Sequence, residues 1–164
     1  MRRNDREITD KEAIAAFLSG EQILRVAFYD DGDIYIVPVN YGYCEENDRI
    51  CFYFHGAKAG RKYTLAQNNP RVGFEIDGHY ALVSAETGCG HSANYQSVIG
   101  TGTLHLVSDP AEQRRGLNCI MQQATGKADW EYNSAVLERT AVFRLDAETL
   151  TCKARCGETP RASV

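Results

Sequence analysis

The residues best equipped for chemistry in this chain fall in one stretch, Phe54 to Phe74, which reads "FHGAKAGRKYTLAQNNPRVGF". His55 precedes a run of small residues, Gly56, Ala57, Ala59 and Gly60, interrupted only by Lys58. Arg61 and Lys62 follow side by side, at the start of a helical pattern that Asn69 and Pro70 end. A helix N-terminus is already electropositive, so two cations there are mildly unfavourable unless an anion sits among them. Small residues leave backbone N–H groups open to a ligand, the helix end directs further donors at it, and the cations add charge-assisted bonds. That combination favours a phosphate cradle over a solvated basic turn. It is no Walker loop, because the G-x4-G-K-[ST] order is missing, and its glycines do not follow G-x-G-x-x-G. Nucleoside triphosphate hydrolysis is not indicated.

Upstream, "VPVNYGY" closes a strand with Pro38, and there Asn40 and Tyr41 could offer hydrogen bonds and a flat face to a planar heterocycle. Tyrosines in strands are more often packing residues, so this segment has weight only beside the cradle. Six cysteines, at 44, 51, 89, 119, 152 and 156, share the chain with four histidines but show no C-x2-C or H-x3-H rhythm. Structural or incidental thiols are expected and no metal site.

These groups need elements to position them. "TDKEAIAAFLSG" predicts a short amphipathic helix, with Thr9 and Glu12 as a capping box and Gly20 as its stop. "QILRVAFYDDGDIYIVPVNYGY" predicts a hairpin about Asp31-Gly32, its second strand at an edge because of Pro38. A polar break, "CEENDR", separates it from the strand "RICFYFH", and a helix over 60–68 leads to the strand "RVGFEIDG". Residues 78–94 read as a long loop or irregular strand. "YQSVIGTGTLHLVSD" reads as a long strand in which Gly100 and Gly102 mark a bend or a close backbone approach. Ser108, Asp109 and Pro110 start the longest helix, running to about Thr125, and "AVFRLDAETLTCKAR" predicts two strands about a polar turn. Six to eight strands joined mainly by short turns predict a mainly β protein, an antiparallel barrel with two or three accessory helices.

The chain has 164 residues, the length of one domain, and residues 1–164 are read as one. A formal net charge of -4 argues against nucleic acid or an anionic membrane as main partner. No run approaches the roughly 20 apolar residues of a membrane span, and the charged start is no signal peptide, so a soluble cytoplasmic protein is expected.

"MRRNDREI", "VPVNYGY", the Phe54–Phe74 segment and "YQSVIGTGTLHLV", in this order, resemble the nitroimidazole-resistance (NimA-like) branch of the pyridoxamine 5'-phosphate oxidase-like flavoproteins. The similarity covers nearly the whole chain, and "GRK-x3-L-x2-NP" is its most specific part. The resemblance implies an FMN-binding split barrel, a homodimer with FMN at the subunit interface, and a small-molecule substrate. It assigns the phosphate to Arg61 and Lys62 with His55, Gly56, Ala57 and Lys58 beside it. Val39, Asn40 and Tyr41 would line the isoalloxazine, and Gln96 and Ser97 would reach FMN from the partner subunit. His55 is the candidate catalytic residue, facing the substrate, against a structural reading in which its ring satisfies a neighbouring backbone group; His91, in the unassigned loop, is either a second substrate contact or without a role. The tail "CKARCGETPRASV" lacks the arginine and histidine pattern with which true pyridoxamine phosphate oxidases hold their substrate. The implied activity is reduction of small electrophilic or nitroaromatic compounds; a non-catalytic flavin carrier or sensor, or a haem barrel with His55 or His91 as axial ligand, are the alternatives.

Overall fold

The computed structural model describes residues 3–47 and 49–156. Met1 and Arg2 of the N-terminal motif, and all of the C-terminal tail beyond Cys156, lie outside the described residues. Within them, β1 (Glu7–Ile8) precedes α1 (Lys11–Gly20), the hairpin β2 (Ile23–Asp30) and β3 (Asp33–Asn40), then β4 (Gly42–Glu46) and β5 (Arg49–Ala57). Next come α2 (Arg61–Asn68), β6 (Arg71–Val83), β7 (Ser92–Leu106), α3 (Pro110–Thr125), α4 (Ser134–Arg139) and β8 (Thr140–Arg155).

One antiparallel sheet runs in the order β3-β2-β6-β7-β8-β5-β4, with β1 added beside β8. Its two ends curl toward each other, and β3 approaches β5 without a ladder between them. The fold is a split barrel, mainly β, as the sequence predicts. Alternation along the strands sends Leu24, Val26 and Phe28, Val72, Phe74 and Ile76, and Phe52 and Phe54 into its interior. A second cluster, Tyr53, Leu117, Ile120, Leu137 and Val142, fills the space between the barrel wall and α3 with α4. This explains the unbroken apolar run of β5, which is buried on both faces over residues 51–54.

Several local expectations need correction. The cap of α1 is Asp10, whose carboxylate accepts from the Ala13 N–H at 2.7 Å, rather than Thr9 one residue earlier. The polar stretch "CEENDR" opens on the second half of β4, which is paired residue by residue with β5 from Gly42↔Tyr53 to Glu46↔Arg49. Its polar side chains are tolerated because β4 is an edge strand. Much of 78–94 is also strand: β6 continues to Val83 past a register shift between Gly78 and Ala81, where His79 has φ +56°. The final pair of strands is a single strand, β8. Its polar turn is a bulge opposite Thr101 and Gly102, with Glu148 projecting outward to Thr103 and Arg71. Four α-helices are present among the described residues, one more than the upper expectation, because α4 is too short to show a helical period. The predicted close approach at Gly100 is present: a Cβ there would overlap the Thr149 carbonyl.

Candidate functional site

The hairpin, β5 and α2 bring the Phe54–Phe74 chemistry to one end of the barrel. β5 carries His55, Gly56 and Ala57 to its end, Lys58 and Ala59 turn the chain, and Gly60 enters α2 with φ +90°. Only glycine adopts that conformation cheaply. As N-cap, Gly60 offers no side-chain acceptor, so the first N–H groups of α2 have no capping side chain. That is the open set of donors an anion needs.

The two cations occupy different settings. Arg61 directs Nε and Nη2 at Asp30 Oδ2, each at 2.6 Å, and its guanidinium lies 4.6 Å from the centre of the Tyr35 ring. Lys62 folds back over the barrel end, its Nζ 5.2 Å from the Phe143 ring centre and 5.5 Å from that of Phe54. Its Nζ donates to the His55 carbonyl at 3.3 Å, and a Cβ on Gly56 would press against it. Among the described residues no carboxylate pairs with Lys62. Desolvation lowers its pKa from the ordinary value, the signature of an ammonium short of compensating charge.

His55 lies on the other face of β5. By strand alternation its side chain shares the face of Cys51 and Tyr53, whereas Phe54 and Gly56 share the face covered by Lys62. Desolvation first, and then the Lys62 cation, lower the His55 pKa from its ordinary 6.5, favouring the neutral ring. The residue sits near the end of β5, opposite Val142 of β8.

Tyr41 does not offer its ring to a ligand. It is 1 % exposed, packs edge-on to Phe52 and donates its hydroxyl to the Leu18 carbonyl at 2.6 Å. Its flat face is spent in the core, and only its backbone remains for a cofactor. Val39 is buried too, while Asn40 is exposed and donates Nδ2 to the Gln22 carbonyl at 3.3 Å. Gln96 and Ser97 stand opposite Gly78 and Asp77 on one side and Ala154 and Lys153 on the other. His55 faces Val142, and β8 there runs level with Leu106 of β7. Gln96 is therefore about ten residues, on the order of 30 Å, farther along the strand path. One protomer does not bring Gln96 and Ser97 to the α2 cradle. His91 is exposed, with Nδ1 2.9 Å from the Thr87 carbonyl.

Sequence reasoning missed the groups that orient the cations: Asp30 and Tyr35 for Arg61, Phe54 and Phe143 for Lys62. The "DDGD" turn hinted at the first, since it places carboxylates at the hairpin tip, but nothing linear ties that tip to α2.

The sequence profile of the pyridoxamine 5'-phosphate oxidase family matches residues 10–154. The chain belongs to that family. Solved structures share its fold. A candidate 5-nitroimidazole antibiotic resistance protein from Bacteroides thetaiotaomicron VPI-5482 is 26% identical, with TM-score 0.76, 90% of this chain covered and 86% of that one. The flavocytochrome Anf3 from Azotobacter vinelandii is 24% identical, with TM-score 0.77 and coverages of 96% and 72%. An FAD and heme binding protein from Mycobacterium smegmatis is 18% identical, with TM-score 0.80 and coverages of 96% and 77%. The last two share the fold. A search of curated proteins finds no match. Among the described residues no helix is long and apolar enough to cross a membrane.

Proposed function

We propose that this chain is an FMN-dependent oxidoreductase that works as a homodimer and reduces small electrophilic or nitroaromatic compounds. The observation that carries the reading is the uncapped N-terminus of α2 beside Lys62, a half-buried cation with no carboxylate partner among the described residues. A phosphate monoester fits both needs, supplying acceptors to the N–H groups and negative charge to the ammonium. Arg61, held by Asp30, has N–H donors beyond those that one carboxylate takes, and would close the cradle from the hairpin side. FMN, when bound, supplies hydride acceptance and donation. The protein's part is to fix the ring along the β3–β5 seam through the Val39 and Asn40 backbone, keep the phosphate anchored, and present His55 as a hydrogen-bonding or proton-donating group.

The separation of Gln96 and Ser97 from the cradle supports the homodimer, because only a second copy could bring them to it. So does an exposed apolar face on the barrel wall: Ile34 stands opposite Tyr29 and Ile36 opposite Ala27, with Ile34 and Ile36 63% and 59% exposed. The likeness to the Bacteroides protein favours nitroaromatic compounds as substrates.

The test is spectroscopic. Purified protein should carry oxidised-flavin absorption, release FMN rather than FAD on denaturation, bleach with a nicotinamide donor and recolour with a nitroaromatic. Bleaching without recolouring across a compound panel would reduce it to a flavin carrier, and a Soret band would replace flavin with haem.

A further inference from the structure

Three thiols that the flavin reading does not use converge on the outer side of β4 and β5. Cys44 and Cys51 are direct partners in the β4–β5 ladder, and their Sγ atoms are 2.9 Å apart. Cys51 is buried, while Cys44 lines a cleft of about 620 Å³ together with Cys119 of α3. The Cys119 thiol donates to the Tyr43 carbonyl at 3.1 Å. One carboxylate, that of Glu46, lies close enough to Cys44 and Cys51 for the three to share a cation.

The geometry suits a disulfide better than a metal. Two zinc–sulfur bonds of about 2.3 Å at a tetrahedral angle hold their sulfurs roughly 3.8 Å apart, well beyond the separation here. Glu46 is also engaged, by Arg144 at 2.9 Å and Arg115 at 3.3 Å. By contrast, directly opposed residues of an antiparallel ladder have Cα atoms about 4.5–5.5 Å apart. That lies inside the roughly 4.4–6.8 Å that a disulfide spans.

We propose that Cys44, Cys51 and Cys119 form a redox site, oxidised by a hydroperoxide entering the cleft, whose stable oxidised form is a Cys44–Cys51 disulfide. Cys119 reacts first: it opens on the cleft with Cys44, whereas Cys51 is buried. Interaction with Cys44 holds its thiol below the ordinary range, while the same interaction pushes Cys44 up to about 11 and Cys51 is pushed higher still. The Cys119 thiolate attacks the peroxide, the O–O bond breaks, and an alcohol (or water, from hydrogen peroxide) leaves as Cys119 becomes a sulfenic acid. The Cys44 sulfur then attacks the Cys119 sulfur; its proton leaves with the sulfenic hydroxyl as water, and a Cys44–Cys119 disulfide forms. Cys51, in contact with Cys44, attacks the Cys44 sulfur and returns Cys119 as a thiol. The sum is two thiols and one hydroperoxide giving one disulfide, one alcohol and one water.

The experiment uses full-length protein with the exposed Cys89 and Cys156 replaced by serine, reduced and then treated with stoichiometric hydrogen peroxide. Intact mass should fall by two hydrogens, and digestion without reductant should yield peptides joined through Cys44 and Cys51, separated again by dithiothreitol. Cys119→Ser should give the same linkage on the order of tenfold more slowly, because the most acidic thiol is gone. Cys51→Ala, checked for folding by circular dichroism, should stop at the Cys44–Cys119 linkage. Retention of free Cys44 and Cys51 after peroxide, an unchanged rate in Cys119→Ser, or stoichiometric zinc protecting both thiols from alkylation would each overturn the proposal.

Discussion

Arg61 and Lys62 are neighbours in sequence yet differ in what compensates their charge, and that difference makes the cradle testable by pH. Lys62 has its pKa lowered from 10.5 by desolvation. A bound phosphate favours the ammonium, so above the depressed pKa of the free protein the amine must first take up a proton to bind. FMN affinity should therefore fall as pH rises, starting below 10.5, while riboflavin affinity stays level; Lys62→Met should flatten the FMN curve in fluorescence titrations. At His55 the depressed pKa means that the imidazolium appears only as pH falls below 6.5. If it donates the proton in substrate reduction, reoxidation of reduced flavin should speed up on that acid limb. His55→Ala should abolish the limb and slow reoxidation about 100-fold, with folding and FMN occupancy retained. An unchanged reoxidation rate at full occupancy would remove His55 from the chemistry.

At the level of elements, two glycines separate the scaffold from the site. Gly42 lies under α3, where a Cβ would overlap the Cys119 backbone, so Gly42→Ala should lower stability by about 1–3 kcal/mol in urea unfolding. FMN affinity, measured where the protein is fully folded, should hardly change. Gly60 has open space around it but φ +90°, so Gly60→Ala should cost about 1–3 kcal/mol through backbone strain alone and weaken FMN as the cradle shifts. Equal effects of the two substitutions on FMN would detach the α2 entrance from the site. Elements with a strong period were legible in the sequence: the β2–β3 hairpin, α2 between Gly60 and Pro70, and α3 from its Asp109 cap. The polar stretches of β4, β6 and β8 were not, because edge exposure and bulges let strands carry residues that otherwise signal turns. That residues 55–62 share one end of the barrel was legible because they are contiguous in the chain. Burial of Tyr41 and the pairing of Arg61 with Asp30 could not, since both depend on contacts between distant segments.

For the whole molecule, the apolar wall at Tyr29, Ile34 and Ile36 and the remoteness of Gln96 and Ser97 lead to one expectation: flavin and assembly are linked. Ile34→Arg with Ile36→Arg should shift sedimentation toward monomer and release flavin, and dilution of the unaltered protein should do the same more gradually. A monomer that keeps stoichiometric FMN would contradict the shared site. All of this rests on the claim that α2 and its two cations hold a phosphate, and paired titrations of FMN and riboflavin against Arg61→Ala/Lys62→Ala test it most directly. The account predicts that FMN binding weakens by a few kcal/mol, each charge-assisted bond being worth roughly 1.5–3 kcal/mol, with riboflavin binding nearly unchanged. Equal losses for both ligands, or no loss for either, would contradict it.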